Sequence, residues 1–526
     1  MSWNEQTALE RINRMMGTVP AGAIEVADFA PYYEGRERLN AEARRRGEMP
    51  SEPIWYVSRN RAVTTHGVHV YANLIDYNDR LVESGQETEA SHERALQLLH
   101  MLYGAGDELI ATFGINRVDY HGSRLHAVVL TPTGLENEVE RIEKAIGFAA
   151  AFRRMADLVA GRYGEGYRTR VRIGIDSGPA VAINSGKRSE AEPLFVGSPA
   201  NYAAKLAEGD VEGVFLSPRV VRARRSLPFV GTAVPERVSA LDEEQVLLKS
   251  FTVGDSAFSA TGRLERAFEA LVNARDTLAK STVAATEAIF RFHHRLPPLK
   301  TIDFADHPPS NTIRMTMASL FADIAGFTAY VDQSIQTGTV AQAVANLDVM
   351  RGEMAAVVRD DFGGRKVRFV GDCLHAILAE GDHRATEEQR TVKTAVFAAA
   401  GIRSSFNLCR MLLPGAGSLG IAIGIELGPT PVCRLGLRGV EQSVRCSSSR
   451  ATCLSEHEQR LCSGEETALG ENAYAKGGIL IQHVFRSDRK VANLNFPNAT
   501  SLLAAAPASP AYIPRREPEP MRAHFR

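Results

Sequence analysis

The chain is short of the features that mark a secreted, membrane-bound or nucleic-acid-binding protein. Its six cysteines all fall after residue 372, at 373, 409, 433, 446, 453 and 462, with no CxxC pair. That pattern excludes a disulfide framework and reads as reduced thiols in a cytoplasmic protein. Surplus charge is missing as well: 61 Lys and Arg face 62 Asp and Glu, a net of −1. Nothing is left over to hold a nucleic-acid backbone or an anionic membrane, and neither is expected as a partner. The start, MSWNEQTALERINRMM, has acids where a signal peptide needs a basic and then an apolar stretch, and no apolar run approaches a membrane span. Neither HExxH nor a Walker phosphate loop occurs. GAGSLG at 415–420 spells a dinucleotide fingerprint, but it follows a predicted helix and precedes a strand, so it reads as a loop.

What the sequence does contain is a long-period duplication. With 526 residues, 44% hydrophobic and 23% charged, the chain has material for two or three compact units. YANLIDYN (71–78) lies opposite FADIAGFT (321–328), an offset of 321 − 71 = 250. VDYHGSRLHAVV (118–129) lies opposite VRFVGDCLHAIL (367–378), offset 249, and IGIDSGP (173–179) opposite IGIELGP (423–429), offset 250. AAKL (203–206) matches ATCL (451–454) at offset 248. Four blocks in one order at nearly constant spacing identify an internal repeat.

Each repeat reads as strand, long helix, a hairpin around a GS or GD turn, a second helix, a further strand and a last helix. Strands are expected where β-branched and aromatic residues run between Gly and Asp, as in Val68–Tyr71 and Val367–Val370. Helices are expected where apolar residues recur, over 145–160 and 394–413. The β-α-β-β-α-β order predicts an α+β protein with two ferredoxin-like domains in tandem. The boundaries are an extension over 1–60, a first domain at 61–235, a linker at 236–311, a second domain at 312–500 and an Ala/Pro-rich tail at 501–526. Within the linker, 261–295 is expected to form one amphipathic helix ended by Leu296-Pro297-Pro298.

The chemistry lies in how the copies differ. In the second repeat Asp323 stands at a strand end before a turn containing Gly326, and Asp372 stands at a hairpin tip. Alone, each reads as a turn-forming Asp. As neighbours in one sheet they become paired oxygen ligands suited to Mg²⁺ or Mn²⁺ carried with a nucleoside triphosphate. The first repeat has Asn73 and Ser123 at those places and cannot supply the charge. It has instead Asn201 and Lys205, four apart on one helical face, where the second repeat offers Ser449 and Cys453. Complementary loss is what two halves building one shared site would leave. His126 and His375 recur on apolar strands and read as packed structural histidines.

FADIAGFT, FVGDCLHA and VGSPANYAAKL together resemble the motifs of the class III nucleotide cyclases, over about 65–235 and 312–480. The resemblance implies two cyclase domains packed head to tail as a pseudo-heterodimer, with one competent site in the groove between them. It implies two ions, Mn²⁺ or Mg²⁺, on Asp323, Asp372 and the Ile324 carbonyl, and phosphates on the Ala325, Gly326 and Phe327 amides. Asn201 becomes the ribose-orienting residue and Lys205 the cation on the reacting phosphate, normally Arg in the family. Lys249 is a weaker candidate for the terminal phosphates. Base selection falls to Asp119 and Leu194, a pair that fits neither the adenylate nor the guanylate pattern. A carboxylate only accepts hydrogen bonds, so Asp119 can meet the uracil ring N–H or the cytosine or adenine amine. The wording most resembles the pyrimidine cyclases of bacterial Pycsar antiphage systems. That resemblance implies UTP as substrate, cyclic UMP as second messenger, a separate cyclic-nucleotide-activated effector, and a fused pair for which further self-association stays open. Cytidylate or adenylate cyclisation and a non-catalytic nucleotide sensor are the competing readings.

Overall fold

A computed structural model describes residues 2–18, 21–48, 57–58, 60–185, 192–225, 246–248, 262–274, 290–436 and 444–504. The chain opens with α1 (Glu5–Thr18), β1 (Glu25–Asp28) and α2 (Phe29–Arg45). The first repeat runs β2 (Arg61–Leu74), α3 (Tyr77–Arg80), α4 (Glu89–Phe113), β3 (Asn116–His121), β4 (Arg124–Val129), α5 (Glu138–Tyr163), β5 (Val171–Ser185), β6 (Glu192–Val196), α6 (Ser198–Leu206), β7 (Gly213–Leu216), α7 (Pro218–Arg225) and β8 (Val246–Leu248). A helix α8 spans 262–274. The second repeat follows as β9 (Phe292–His293), β10 (Thr312–Ala325), α9 (Phe327–Thr337), α10 (Val340–Ala356), β11 (Arg365–Val370), β12 (Cys373–Leu378), α11 (Glu388–Leu412), β13 (Gly420–Leu435), β14 (Val444–Ser447), α12 (Arg450–Arg460), β15 (Glu466–Leu469), α13 (Glu471–Lys476), α14 (Gly478–Phe485), β16 (Lys490–Ala492) and α15 (Phe496–Ala504).

The duplication is visible in the sheets. One has the order β3-β4-β2-β5-β7-β8 and the other β11-β12-β10-β13-β15-β16, with β6 and β14 added to β5 and β13 in the same way. The linker departs from the single helix expected over 261–295. After α8 the segment 275–289 lies outside the described residues, and Phe292–His293 are extended, pairing in parallel with Thr312–Ile313. The prolines at 297 and 298 bias the preceding chain toward extended backbone and keep helix from reaching them. The 415–420 stretch is a turn leading into β13, as expected.

Period-two alternation sorts β10 between two cores. Ala318, Leu320, Ala322 and Ile324 face the core beneath α10 and α11, while Ile313, Met315 and Met317 face a smaller cluster with Leu299 and Phe304. Phe321 and Asp323 therefore lie on the face that α10 and α11 leave uncovered. The halves also exchange material. Val181, Ile183, Leu194 and Val196 from β5 and β6 join the second half's core, and Cys433, Leu435, Val444 and Cys446 from β13 and β14 join the first half's. The α1 helix crosses the molecule as well: Ala8 and Ile12 enter the second half's core and Trp3 Nε1 donates to Ser405 Oγ at 2.8 Å.

Candidate active site

Asp323 sits near the end of β10, in register with Ala422 on β13, beside the β11–β12 hairpin whose tip carries Asp372. Gly371, with φ of +62°, lets that hairpin turn tightly. After Ala325, Gly326 takes φ of +86° and α9 begins at Phe327, so the first amides of an eleven-residue helix stand beside the two carboxylates. From the other half, α6 brings Asn201 and Lys205, both exposed on one face. Asn201 donates to Thr328 Oγ1 on α9, and the Ser198 amide at the start of α6 donates to Asp332 Oδ1 at 3.0 Å. These bonds tie the two helices across the interface.

All ten residues expected from sequence line one cavity of about 820 Å³: Asp323, Asp372, Ile324 to Phe327, Asn201, Lys205, Asp119 and Leu194. Lys249 lies outside the described residues. His126 and His375 are buried, stacked on Tyr71 and Phe321 with centroids at 4.1 and 4.3 Å. Burial pushes both well below the ordinary histidine range, as befits neutral packed rings.

Burial in the cavity wall raises the Asp323 carboxyl to about 6, opposed by Arg460 and the Cys373 thiol. Asp372 is pushed well above the carboxylate range by burial and by the neighbouring Asp323. Two carboxylates that repel each other in a shielded wall favour a cation between them. The donor set fits a hard divalent ion that takes carboxylate oxygen and shares substrate phosphate. Among the described residues no group of three or more His, Cys, Asp or Glu is placed to hold a metal ion.

The cavity also contains charges that the sequence did not single out. Arg124 Nη1 donates to Glu456 Oε1 at 2.7 Å, Arg460 donates to the same oxygen at 2.5 Å, and Arg460 donates to Glu208 at 2.6 Å. Burial opposes the charged form of Glu456, yet Arg124 and Arg460 hold its carboxyl well below the usual range. Arg124 and Glu208 belong to the first half, Glu456 and Arg460 to the second, so the chain of ion pairs crosses the groove. Asp119 is likewise paired across it, accepting from Arg368 Nη1 at 2.6 Å. The aligned hairpin blocks already set Asp119 opposite Arg368, and a reversal of charge at one repeat position was the available signal.

A uridylate cyclase of a Rhizobium species is 44% identical over 495 residues, 92% of either chain. A uridylate cyclase of Pseudomonas aeruginosa is 35% identical over 514 residues, 96% of this chain and 91% of that one. The chain belongs to the class III nucleotide cyclase family. Its membership extends to the fold: the crystal structure of a class III adenylyl cyclase-like ATP-binding protein from P. aeruginosa matches with a TM-score of 0.80 at 31% identity, covering 96% of this chain and all of that one. No family profile matches the chain. Among the described residues no helix is long and apolar enough to cross a membrane.

Proposed function

We propose that this chain is a pyrimidine nucleotide cyclase converting UTP into 3′,5′-cyclic UMP and pyrophosphate, a phosphorus–oxygen lyase. The observation that carries the reading is the single cavity in which Asp323 and Asp372 from one half meet Asn201 and Lys205 from the other. The uridylate cyclases that are 44% and 35% identical supply the preference for UTP. The matched strand orders support two ferredoxin-like cyclase domains, 61–235 and 312–500, arranged head to tail as a pseudo-heterodimer.

Asp323 and Asp372, with the Ile324 carbonyl, are the residues to hold two Mg²⁺ or Mn²⁺ ions. Bound there, the ions supply neutralisation of the triphosphate and a lower pKa for the attacking hydroxyl. The amides of Ala325, Gly326 and Phe327 receive the terminal phosphates at the start of α9. Asn201 holds the ribose so that its 3′ oxygen lies in line with the α-phosphorus. That oxygen bonds to the phosphorus, the bond to the β-phosphate oxygen breaks, and the hydroxyl proton passes to solvent. Lys205 sets positive charge against the α-phosphate oxygens as the five-coordinate state forms. Asp119 accepts the uracil N3–H while Leu194 closes an apolar wall.

The six free thiols fit a reducing, cytoplasmic setting. By family resemblance the product serves as a second messenger in antiphage defence, read by a separate effector. Incubation with each of the four ribonucleoside triphosphates and Mn²⁺, with mass-spectrometric identification of products, tests the reading. Cyclic UMP from UTP is expected as the main product. Cyclic CMP or AMP as the main product would move the substrate, and no cyclic product from any of the four would leave a nucleotide sensor.

A further inference from the structure

One row of side chains is built twice. Across β3, β4, β2 and β5 the register sets Asp119, His126, Tyr71 and Gly174 side by side, and across β11, β12, β10 and β13 it sets Arg368, His375, Phe321 and Gly424. Residues directly opposite on neighbouring strands share a face of the sheet. In both rows an aromatic ring lies flat on the histidine: Tyr71 on His126 with centroids at 4.1 Å and planes 19° apart, Phe321 on His375 at 4.3 Å and 12°. A bare phenyl ring is therefore enough for the packing. The first row adds a hydroxyl, and among the described residues no hydrogen bond reaches it. Tyr71 is half-buried in the wall of the 820 Å³ cavity, which Asp119 and Leu194 also line. A shielded polar group that the fold leaves unmatched is costly, and a ligand in the cavity can relieve that cost.

Resting on the cyclase reading, we infer that Tyr71 is a specificity-determining residue whose hydroxyl donates to a carbonyl oxygen of the uracil base. Burial raises the phenol above its ordinary range, Asp119 adds to the rise and Arg124 opposes it, so the group keeps its proton and is a donor at neutral pH. Uracil carries two carbonyls, cytosine and guanine one each, and adenine none. A donor aimed at a carbonyl therefore favours uracil most and is left unmatched by the adenine amine. The platform beneath the ring is fixed as well: His126 Nε2 and His69 Nδ1 share a 3.0 Å hydrogen bond in the buried sheet. Held in this way, the phenol is presented to the cavity without having to be ordered by the substrate.

The test is Tyr71→Phe, which gives the first row the residue that the second already has. In the full-length chain, UTP and ATP are compared by kcat/KM and by equilibrium binding. The preference for UTP over ATP is expected to shrink by about three- to tenfold, the worth of one neutral hydrogen bond. The melting temperature should stay within about 2 °C of the unmodified chain. An unchanged ratio would overturn the inference, and so would an equal loss for both nucleotides, which would move the hydroxyl to the ribose or triphosphate they share. A Tyr71→Phe chain that fails to fold or melts well below the unmodified one would overturn it too, because the fold would then be using the hydroxyl. Repeating the comparison with 2-thio-UTP and 4-thio-UTP locates the carbonyl. Sulfur is a weak acceptor, so the loss caused by Tyr71→Phe should vanish for one of the two, and its full retention for both overturns the assignment. A wild-type chain that binds triphosphates but cyclises none would refute the proposed function, while its binding ratios still report on Tyr71.

Discussion

The interface contains two places related by the repeat, and they have been filled in opposite ways. Around Asp323 and Asp372 a cavity of about 820 Å³ stays open. Around their counterparts, Asn73 and Ser123, the side chains bond to each other at 2.8 Å. Tyr77 donates to Ser448 at 2.9 Å and the Cys453 thiol to Asn78 at 3.1 Å, so the residues that replace ligands at this second place close it instead. Tyr103 stacks on Tyr120 behind them, centroids 4.2 Å apart, and a cavity of about 10 Å³ borders Ser123. The difference teaches that loss of charge in one copy was matched by packing, while the other place kept acids from one half and a cation and amide from the other.

The sharpest way to break this comparison is to treat the two places alike. Asp323→Ala or Asp372→Ala is expected to lower cyclic-nucleotide formation by more than about a thousandfold with folding retained, because on the proposed reading each removes half of the carboxylate charge that would hold the metal ions. Asn73→Ala and Ser123→Ala are expected to leave turnover within about threefold, since one neutral hydrogen bond carries little free energy. Product assays on the four purified variants, with circular dichroism as the check on folding, decide it. Wild-type turnover by Asp372→Ala would end the assignment.

Next in size is the cation from the first half. Lys205→Ala is expected to lower kcat by about two to three orders of magnitude with a smaller change in KM, as for removal of a group that acts on developing charge. Cys453, its counterpart, should tolerate alanine. Steady-state kinetics on UTP separates the roles, and a pure rise in KM for Lys205→Ala would show that it only binds substrate.

The halves differ in their support too. Arg11 on α1 donates to Glu353 at 2.7 and 3.0 Å and to Asp361 at 2.8 and 2.9 Å, bracing the second half from the far end of the sequence. Glu353 and Asp361 keep only 1% and 9% of their side-chain surface exposed. Arg11→Ala leaves both acids shielded without that partner and is expected to cost about 3–5 kcal/mol, read as a lower denaturant midpoint. A change below about 1 kcal/mol would mean that α1 is dispensable to the core it covers.

How much of this was legible depended on whether the signal repeated. The paired strands, the hairpin tips, Asp323, Asp372 and Lys205 followed from blocks recurring in order, because each block fixes a local shape and its place in the sheet, whereas Asp119 and Leu194 followed only from the family resemblance. Asp119 with Arg368 showed only as a reversal of charge at one repeat position, and Arg124 with Glu456, 332 residues apart, leaves no local pattern. Nor did the docking of α1: its apolar stripe says that a face is buried but not against which half. The linker helix was read too long because apolar spacing alone does not show where proline begins to dictate extended backbone.

The smallest expected effect sharpens the comparison at one repeat position, 426 − 176 = 250. Asp176 and Glu426 are both fully buried, but Asp176 pairs with Arg219 whereas Glu426, among the described residues, accepts the amides of Leu427, Ala473 and Asn472. Burial outweighs those amides and lifts the Glu426 carboxyl from 4.5 to about 7. Between these values the folded chain holds a proton that the unfolded chain has released, so stability from this group is present below about pH 4.5 and is lost as pH rises toward 7. The loss amounts to about 3 kcal/mol at most. Glu426→Gln, unable to ionise, should flatten that slope, with urea midpoints at pH 5 and pH 7.5 as the measurement. Burial outweighs Arg219 and raises the Asp176 carboxyl as well, but Asp176→Asn should cost stability at both pH values, because Arg219 then faces a neutral amide. Equal slopes in Glu426→Gln and the unmodified chain would place the origin of any acid-side stability elsewhere.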